Sequence, residues 1–90
     1  MAGRKVKLNL DDLITSEGVL KENWEAVVRS WISILRGLGV HRREGIDRVA
    51  ELLKERKDVS QETSRKVLTC IHNSWNKVSP ADLFYNTYFQ

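Results

Sequence analysis

Apolar residues recur at helical spacing along almost the whole chain, and this period constrains the fold more than any other feature. The longest stripe, at i, i+3, i+4, i+7, i+11 and i+14, consists of Trp24, Val27, Val28, Trp31, Leu35 and Leu38. Two later stripes with similar spacing are Ile46, Val49, Ala50 and Leu53, and then Val67, Leu68, Ile71, Trp75 and Val78. Such stripes are typical of amphipathic helices that share one core. The sequence therefore predicts an all-α fold, a compact bundle of four to five short helices.

Residues with capping chemistry mark where these helices are expected to begin. Asn9, with Asp12 three positions later, has the pattern of an N-cap followed by an acidic N3 residue. Ser60 is expected to cap the fourth helix, and Ser79 followed by Pro80 the fifth. Together with the apolar stripes, these signals predict helices near 10–17, 21–38, 43–57, 61–77 and 80–88.

Glycines mark the predicted ends of the first two helices. Gly18 is expected to end the first, and Gly37 with Gly39 the second, because glycine adopts positive φ without a penalty from Cβ. Residues 6–10 form the alternating segment VKLNL, but no partner strand is in view, so we expect residues 1–9 to be an extended N-terminal arm laid on the bundle. Ninety residues are enough for one core, and we expect residues 1–90 to form a single domain.

Charge is distributed unevenly along the chain. The formal net charge is +3; residues 36–57 hold seven basic and four acidic residues, whereas the rest of the chain holds eight of each. Within that basic element, Glu44 lies four residues before Arg48, and this spacing pairs charges on a helix surface. The candidates for contact with an anion or a nucleic acid are Arg36, His41, Arg42, Arg43, Arg56 and Lys57. The competing interpretation is a solvated turn whose basic side chains contact only water.

Residues with catalytic chemistry are few. The chain holds two histidines, His41 and His72, and one cysteine, Cys70, and it contains no P-loop, dinucleotide-binding, G-x-S-x-G or H-E-x-x-H motif. On a helix, Cys70 and His72 would lie about 200° apart, so they cannot act as a dyad. One cysteine and two separated histidines are too few for a Cys/His zinc site. We therefore expect no enzymatic activity, no metal and no cofactor.

The same composition gives an expectation for the cellular compartment. A single cysteine cannot form an internal disulfide, and no run approaches the roughly 18 apolar residues that would span a bilayer. The N-terminal segment MAGRKVKLNLDD is basic but lacks the apolar core of a signal peptide. We expect a cytoplasmic or nuclear protein without a transmembrane segment, in which any membrane contact is peripheral.

Two short segments resemble parts of known families. VSQETSRKVL, residues 59–68, resembles a short helix of bacterial repressor headpieces, which would imply DNA reading by a helix-turn-helix. The chain departs from that pattern, because Lys57 and Asp58 stand where the tight turn requires glycine and Glu62 would face phosphates. KLNLDDL, residues 7–13, is similar to a segment in the C-terminal domains of some rhabdovirus phosphoproteins, which are helical modules that dock on nucleoprotein. These likenesses cover ten and seven residues, and we assign the chain to neither family.

Apolar side chains in excess of what a small core needs indicate binding. Ile32 and Ile34 lie off the main stripe of their helix, and Leu52 lies off the stripe of the next. These side chains are either buried by a neighbouring element or exposed as a docking patch. The C-terminal residues offer a denser set of docking candidates: Leu83, Phe84, Tyr85, Tyr88 and Phe89.

The sequence as a whole favours binding over catalysis. We expect a non-enzymatic helical interaction domain that docks a protein partner through an apolar patch rimmed by basic residues. The alternative is a helical module that binds nucleic acid or an anionic membrane surface through the basic 36–57 element. A third hypothesis is homo-oligomerisation through the C-terminal aromatic residues.

Overall fold

Within residues 8–81, the part of the chain that this computed structural model describes, the protein is mostly helical. It contains three α-helices, α1 (Trp24–Gly37), α2 (Arg42–Lys54) and α3 (Gln61–Ser74), and 3₁₀ turns at Leu10–Asp12 and Trp75–Lys77. The prediction of a compact, all-α fold is confirmed over this range. Residues 1–7, with most of the predicted arm, and residues 82–90, with most of the predicted fifth helix, lie outside the described part.

A glycine in the left-handed region ends α1. Gly39 has φ +82°. The Gly39 N–H donates to the Arg36 carbonyl at 3.0 Å, and the Val40 N–H donates to the Leu35 carbonyl at 3.0 Å. This pair of bonds is a Schellman motif, which satisfies carbonyls that the helix leaves unpaired. Of the two glycines expected to end this helix, Gly39 is therefore the C′ residue, and Gly37 is the last helical one.

The segment before α1 differs from the predicted helix near 10–17. Asn9 does cap a turn, because its Oδ1 accepts from the Asp11 N–H at 3.0 Å, but the turn is a three-residue 3₁₀ helix. The Thr15 hydroxyl then accepts from the backbone N–H of Val19 at 3.2 Å, a local bond that competes with continued helix. Gly18, at φ +82°, reverses the chain within this turn. The result is a short loop closed by an isolated antiparallel bridge between Ile14 and Leu20.

The three α-helices overlap the ranges predicted near 21–38, 43–57 and 61–77 but are shorter. α1 begins at Trp24, three residues later than predicted, and the Lys21 N–H before it is bonded to the Leu13 carbonyl at 2.9 Å. Ser60 caps α3 as expected, since its Oγ accepts from the Thr63 N–H at 3.1 Å. At the far end, Ala81 is not helical, and its N–H donates to the Ser33 carbonyl of α1 at 2.9 Å.

Helix α3 packs against both α1 and α2, so the core lies around it. Ile32, one of the residues off the main stripe of α1, is completely buried, whereas Ile34 and Leu52 are half-buried. Leu13 and Ile14, from the loop before α1, cover a further side of the core. The core consists of Leu13, Ile14, Val28, Trp31, Ile32, Leu35, Val49, Leu53, Val67, Ile71 and Trp75.

Gly18 and Gly39 share a positive φ but differ in their surroundings, and this difference predicts unequal effects of alanine. At Gly39 an added Cβ would meet nothing within 4 Å, so Gly39→Ala should cost only backbone strain, about 1 kcal/mol of unfolding free energy. At Gly18 the same Cβ would collide with the Asp58 carbonyl oxygen. We expect Gly18→Ala to lose at least twice as much stability in urea unfolding, and equal losses would contradict the contact with Asp58.

Candidate docking groove

Of the six basic residues predicted to contact an anion, two hold segments of the fold together and four are exposed. Arg36 is one of the two structural residues. Its side chain is partly buried, and Nη1 donates to the Val78 carbonyl at 2.6 Å and to the Trp75 carbonyl at 3.1 Å. Both carbonyls belong to the segment that leaves α3. Arg36 therefore fixes this segment to α1, and its donors are already directed at protein atoms.

Arg56, two residues after the end of α2, also has a structural role. It forms an ion pair with Asp58, and its Nη2 donates to the Thr15 carbonyl at 3.0 Å. The Asp11 carboxylate lies 3.9 Å from the Arg56 guanidinium. The hydrogen bond from Arg56 holds the pKa of Asp58 below its ordinary value, and the same bond raises the pKa of Arg56. Arg56 thus ties the loop before α1 to the α2–α3 connection.

The other four candidates are exposed: His41, Arg42, Arg43 and Lys57. Within residues 8–81 none of the four takes part in an ion pair or a side-chain hydrogen bond. His41 is the N-cap residue of α2, and Arg42 and Arg43 form its first turn. Lys57 follows the other end of the helix, roughly 18 Å or more away at 1.5 Å per residue. The structure therefore does not bring the six predicted residues together in one site.

A groove runs between α2 and α3, and we call it the α2–α3 groove. It consists of two depressions of about 490 and 300 Å³ that share Gln61, Ser64 and Leu68. Its apolar floor is formed by Ile46, Ala50, Leu53, Val59 and Leu68. Its basic rim is formed by Lys54, Arg56, Lys57 and Arg65, and the neutral polar side chain of His72 also borders it.

The floor is only partly covered by the rest of the described chain. Leu53 is 3% exposed, but Ile46, Ala50, Val59 and Leu68 are all half-buried. Ile46, Val59 and Leu68 also pack against the core on their inner sides. Apolar area thus remains in contact with water along the groove, and covering it would be favourable by about 25 cal/mol per Å².

Charge of a single sign distinguishes this groove from two other depressions on the described surface. No acidic side chain lines it among residues 8–81. The depression between α1 and α3 instead combines Glu25 and Glu62 with basic residues, and the one beside the loop before α1 combines Asp12 with Lys21. Among these depressions, those of the α2–α3 groove are the ones whose charged lining side chains, Lys54, Arg56, Lys57 and Arg65, are all basic.

The sequence prediction missed most residues of this groove. Of its basic rim, only Arg56 and Lys57 were among the predicted anion contacts. The missed signal is a second stripe on α3, in which Gln61, Arg65, Leu68 and His72 recur at i, i+4, i+7 and i+11. The predicted docking residues Leu83, Phe84, Tyr85, Tyr88 and Phe89 lie outside the described part of the chain.

Other kinds of site find no support in the described residues, and comparison with known proteins gave no match. Among residues 8–81, no group of three or more His, Cys, Asp or Glu side chains is placed to hold a metal ion. No helix of this part is long and apolar enough to cross a membrane. No family model, no curated protein and no solved structure matches the chain.

The two roles of the arginines predict different effects on stability. Arg36→Ala should lower the free energy of unfolding by about 1–3 kcal/mol, because two carbonyls lose a charged donor. Arg42→Ala should change it by less than about 0.5 kcal/mol, because the side chain is exposed at a helix N-terminus. Urea unfolding of both variants measures the difference. Equal effects would show that Arg36 does not fix the segment after α3.

Proposed function

We propose that this chain is a non-enzymatic helical interaction domain that docks a protein partner through the α2–α3 groove. The observation that carries the proposal is the combination of a half-buried apolar floor with a rim on which every charged side chain is basic. Floor residues such as Ile46 and Leu68 supply area for an apolar anchor of the partner. The basic rim supplies electrostatic steering and selects against partners of the wrong charge.

The surroundings of Cys70 and His72 give no support to a catalytic role for either side chain. Cys70 is half-buried, and its Sγ lies 3.9 Å from the Ser74 hydroxyl, a weak polar contact that provides no general base. His72 is exposed on the rim of the groove, where it adds to the polar edge. Neither residue is therefore part of a nucleophile and base pair in the described chain.

Site-specific photocrosslinking in cells that naturally produce the protein tests this proposal. A benzoyl-phenylalanine replaces Gln61, which is exposed and borders both depressions of the groove. We expect discrete crosslinked protein species that become severalfold weaker when Lys57→Glu and Arg65→Glu are added, because the partner loses its complementary charge.

Matched controls separate the groove from the rest of the surface. The same photoreactive residue replaces Arg29, which is exposed on α1 and lines none of the described depressions. A control charge reversal, Arg29→Glu with Lys77→Glu, changes the net charge equally at exposed positions away from the groove. Docking at this surface would be contradicted if positions 29 and 61 gave identical crosslinked species. It would also be contradicted if Lys57→Glu with Arg65→Glu left the crosslinks from position 61 unchanged.

The alternative function is binding of nucleic acid or an anionic membrane surface through the basic 36–57 element. This alternative is favoured by Arg42 and Arg43, which are exposed beside His41 and have no ionic partner among residues 8–81. The involvement of Arg36 and Arg56 in structural contacts weakens it, because fewer charges remain for phosphates.

Fluorescence anisotropy decides between the two functions. Random-sequence single- and double-stranded oligonucleotides, and separately vesicles containing anionic lipid, are titrated at low and near-physiological salt. We expect no micromolar binding at near-physiological salt, because few phosphates can be contacted at once. Micromolar binding that falls steeply with salt and is lost on Arg42→Ala with Arg43→Ala would replace protein docking with the alternative.

A further inference from the structure

We infer that the element recognised by the α2–α3 groove is an acidic amphipathic helix of the partner protein. The inference rests on the proposed function and adds the partner's secondary structure and its charge. It follows from the geometry of the groove, the arrangement of its charges and the chemistry needed to cover its floor.

Two neighbouring helices form the walls of the groove, and they run in opposite directions. Gly45, near the start of α2, lies against the Trp75 ring at the end of α3, whereas Lys57 after α2 shares a depression with Gln61 at the start of α3. A third helix fits along such a pair at the usual interaxial distance of roughly 8–10 Å. The length of α2, about 18–20 Å, corresponds to three or four turns of a docked helix.

Basic side chains line one end of the groove and its α3 wall, and two more lie one helical turn before its floor. Arg42 and Arg43 are four and three residues before Ile46, which places them one turn from the floor on the same side of α2. Lys57 lies at the opposite end, and Arg65 lies on the α3 wall. A partner helix would therefore meet positive charge on both sides of its apolar stripe and at both of its ends.

None of the three acidic residues of α2, Glu44, Asp47 and Glu51, lines the groove. Glu44 forms its ion pair with Arg48 at 2.9 Å, away from the groove lining. Glu51 lies 3.9 Å from Lys54, but both side chains are about three-quarters exposed, so the pair is weak. Lys57 and Arg65 remain without an ionic partner among residues 8–81. Complementarity therefore requires carboxylates on the partner.

Other classes of ligand fit the groove less well. Nucleic acid backbone would satisfy the rim, but it has no aliphatic groups to cover Ile46 and Leu68. An extended peptide that adds a strand needs an exposed sheet edge, and residues 8–81 contain no sheet. An amphipathic helix supplies both an apolar stripe and flanking carboxylates.

A displayed peptide library tests the inference on the full chain. The library consists of 16-residue peptides with leucines fixed at i, i+3, i+4, i+7 and i+11, and with Glu, Lys, Gln or Ala allowed equally at the other positions. We expect selection on the wild-type chain to enrich Glu over Lys. We also expect the affinity of the selected peptides to fall about tenfold on Lys57→Glu with Arg65→Glu, which corresponds to about 1.4 kcal/mol.

The control reversal, Arg29→Glu with Lys77→Glu, should change these affinities by less than twofold. Enrichment of neutral or basic peptides would overturn the inference of an acidic helix. Acidic peptides that bind the Lys57→Glu, Arg65→Glu variant as tightly as the wild-type chain would overturn it too. Either result would leave the proposal of docking at the groove intact. An absence of enriched peptides would also overturn the acidic helix, and the crosslinking experiment would then decide separately whether the groove binds any protein.

Two further measurements test for other occupants of the groove. Sedimentation equilibrium that shows dimers, abolished by Lys57→Glu with Arg65→Glu, would assign the groove to a second copy of the chain. A tenfold gain in peptide affinity on Phe84→Ala with Tyr85→Ala would assign it to the chain's own C-terminal residues. Either result would overturn the inference.

Discussion

The contact between the Trp75 ring and Gly45 joins the three helices at one end of the fold. A Cβ on Gly45 would lie 2.7 Å from the nearest ring carbon and 3.5 Å from a methyl carbon of Leu35. Only glycine lets α2 approach the indole this closely, and the same place brings in α1 through Leu35. The position of α2 against α3, and therefore the shape of the groove between them, depends on this contact. Arg36 reinforces it by holding the Trp75 carbonyl.

This arrangement divides the basic residues by role. Arg36 and Arg56 bind backbone carbonyls of distant segments, 39 and 41 positions away, so their charge serves the fold. Lys57 and Arg65 are exposed along the groove, where their charge is directed at solvent. A count of charges along the sequence cannot separate these roles, because the partners of Arg36 and Arg56 are distant in the chain. The local excess of positive charge is therefore a poor guide to where a ligand binds.

The sequence predicts features that depend on near neighbours and misses those that depend on distant ones. The Ser60 cap and the turn at Gly39 follow from local hydrogen bonds, and both agree with the sequence prediction. The helix near 10–17 was predicted from its cap, but the side-chain bond of Thr15 and the bridge from Ile14 to Leu20 produce a loop. The groove combines Ile46, Ala50 and Leu53 from the stripe of α2 with Leu68 from the stripe of α3. Its existence depends on how the two helices are placed, which helical periodicity does not specify.

The central claim is that the α2–α3 groove presents a positive potential over an apolar floor. NMR relaxation of protons in the full chain, measured with an anionic and a cationic nitroxide of equal size, reports the potential at each residue directly. At low salt, the account predicts stronger relaxation by the anionic probe at Ile46, Ala50 and Leu68, and a smaller difference at Val27, where Asp12 and Lys21 share the depression. Equal relaxation by the two probes along the groove, or stronger relaxation by the cationic one, would contradict the account.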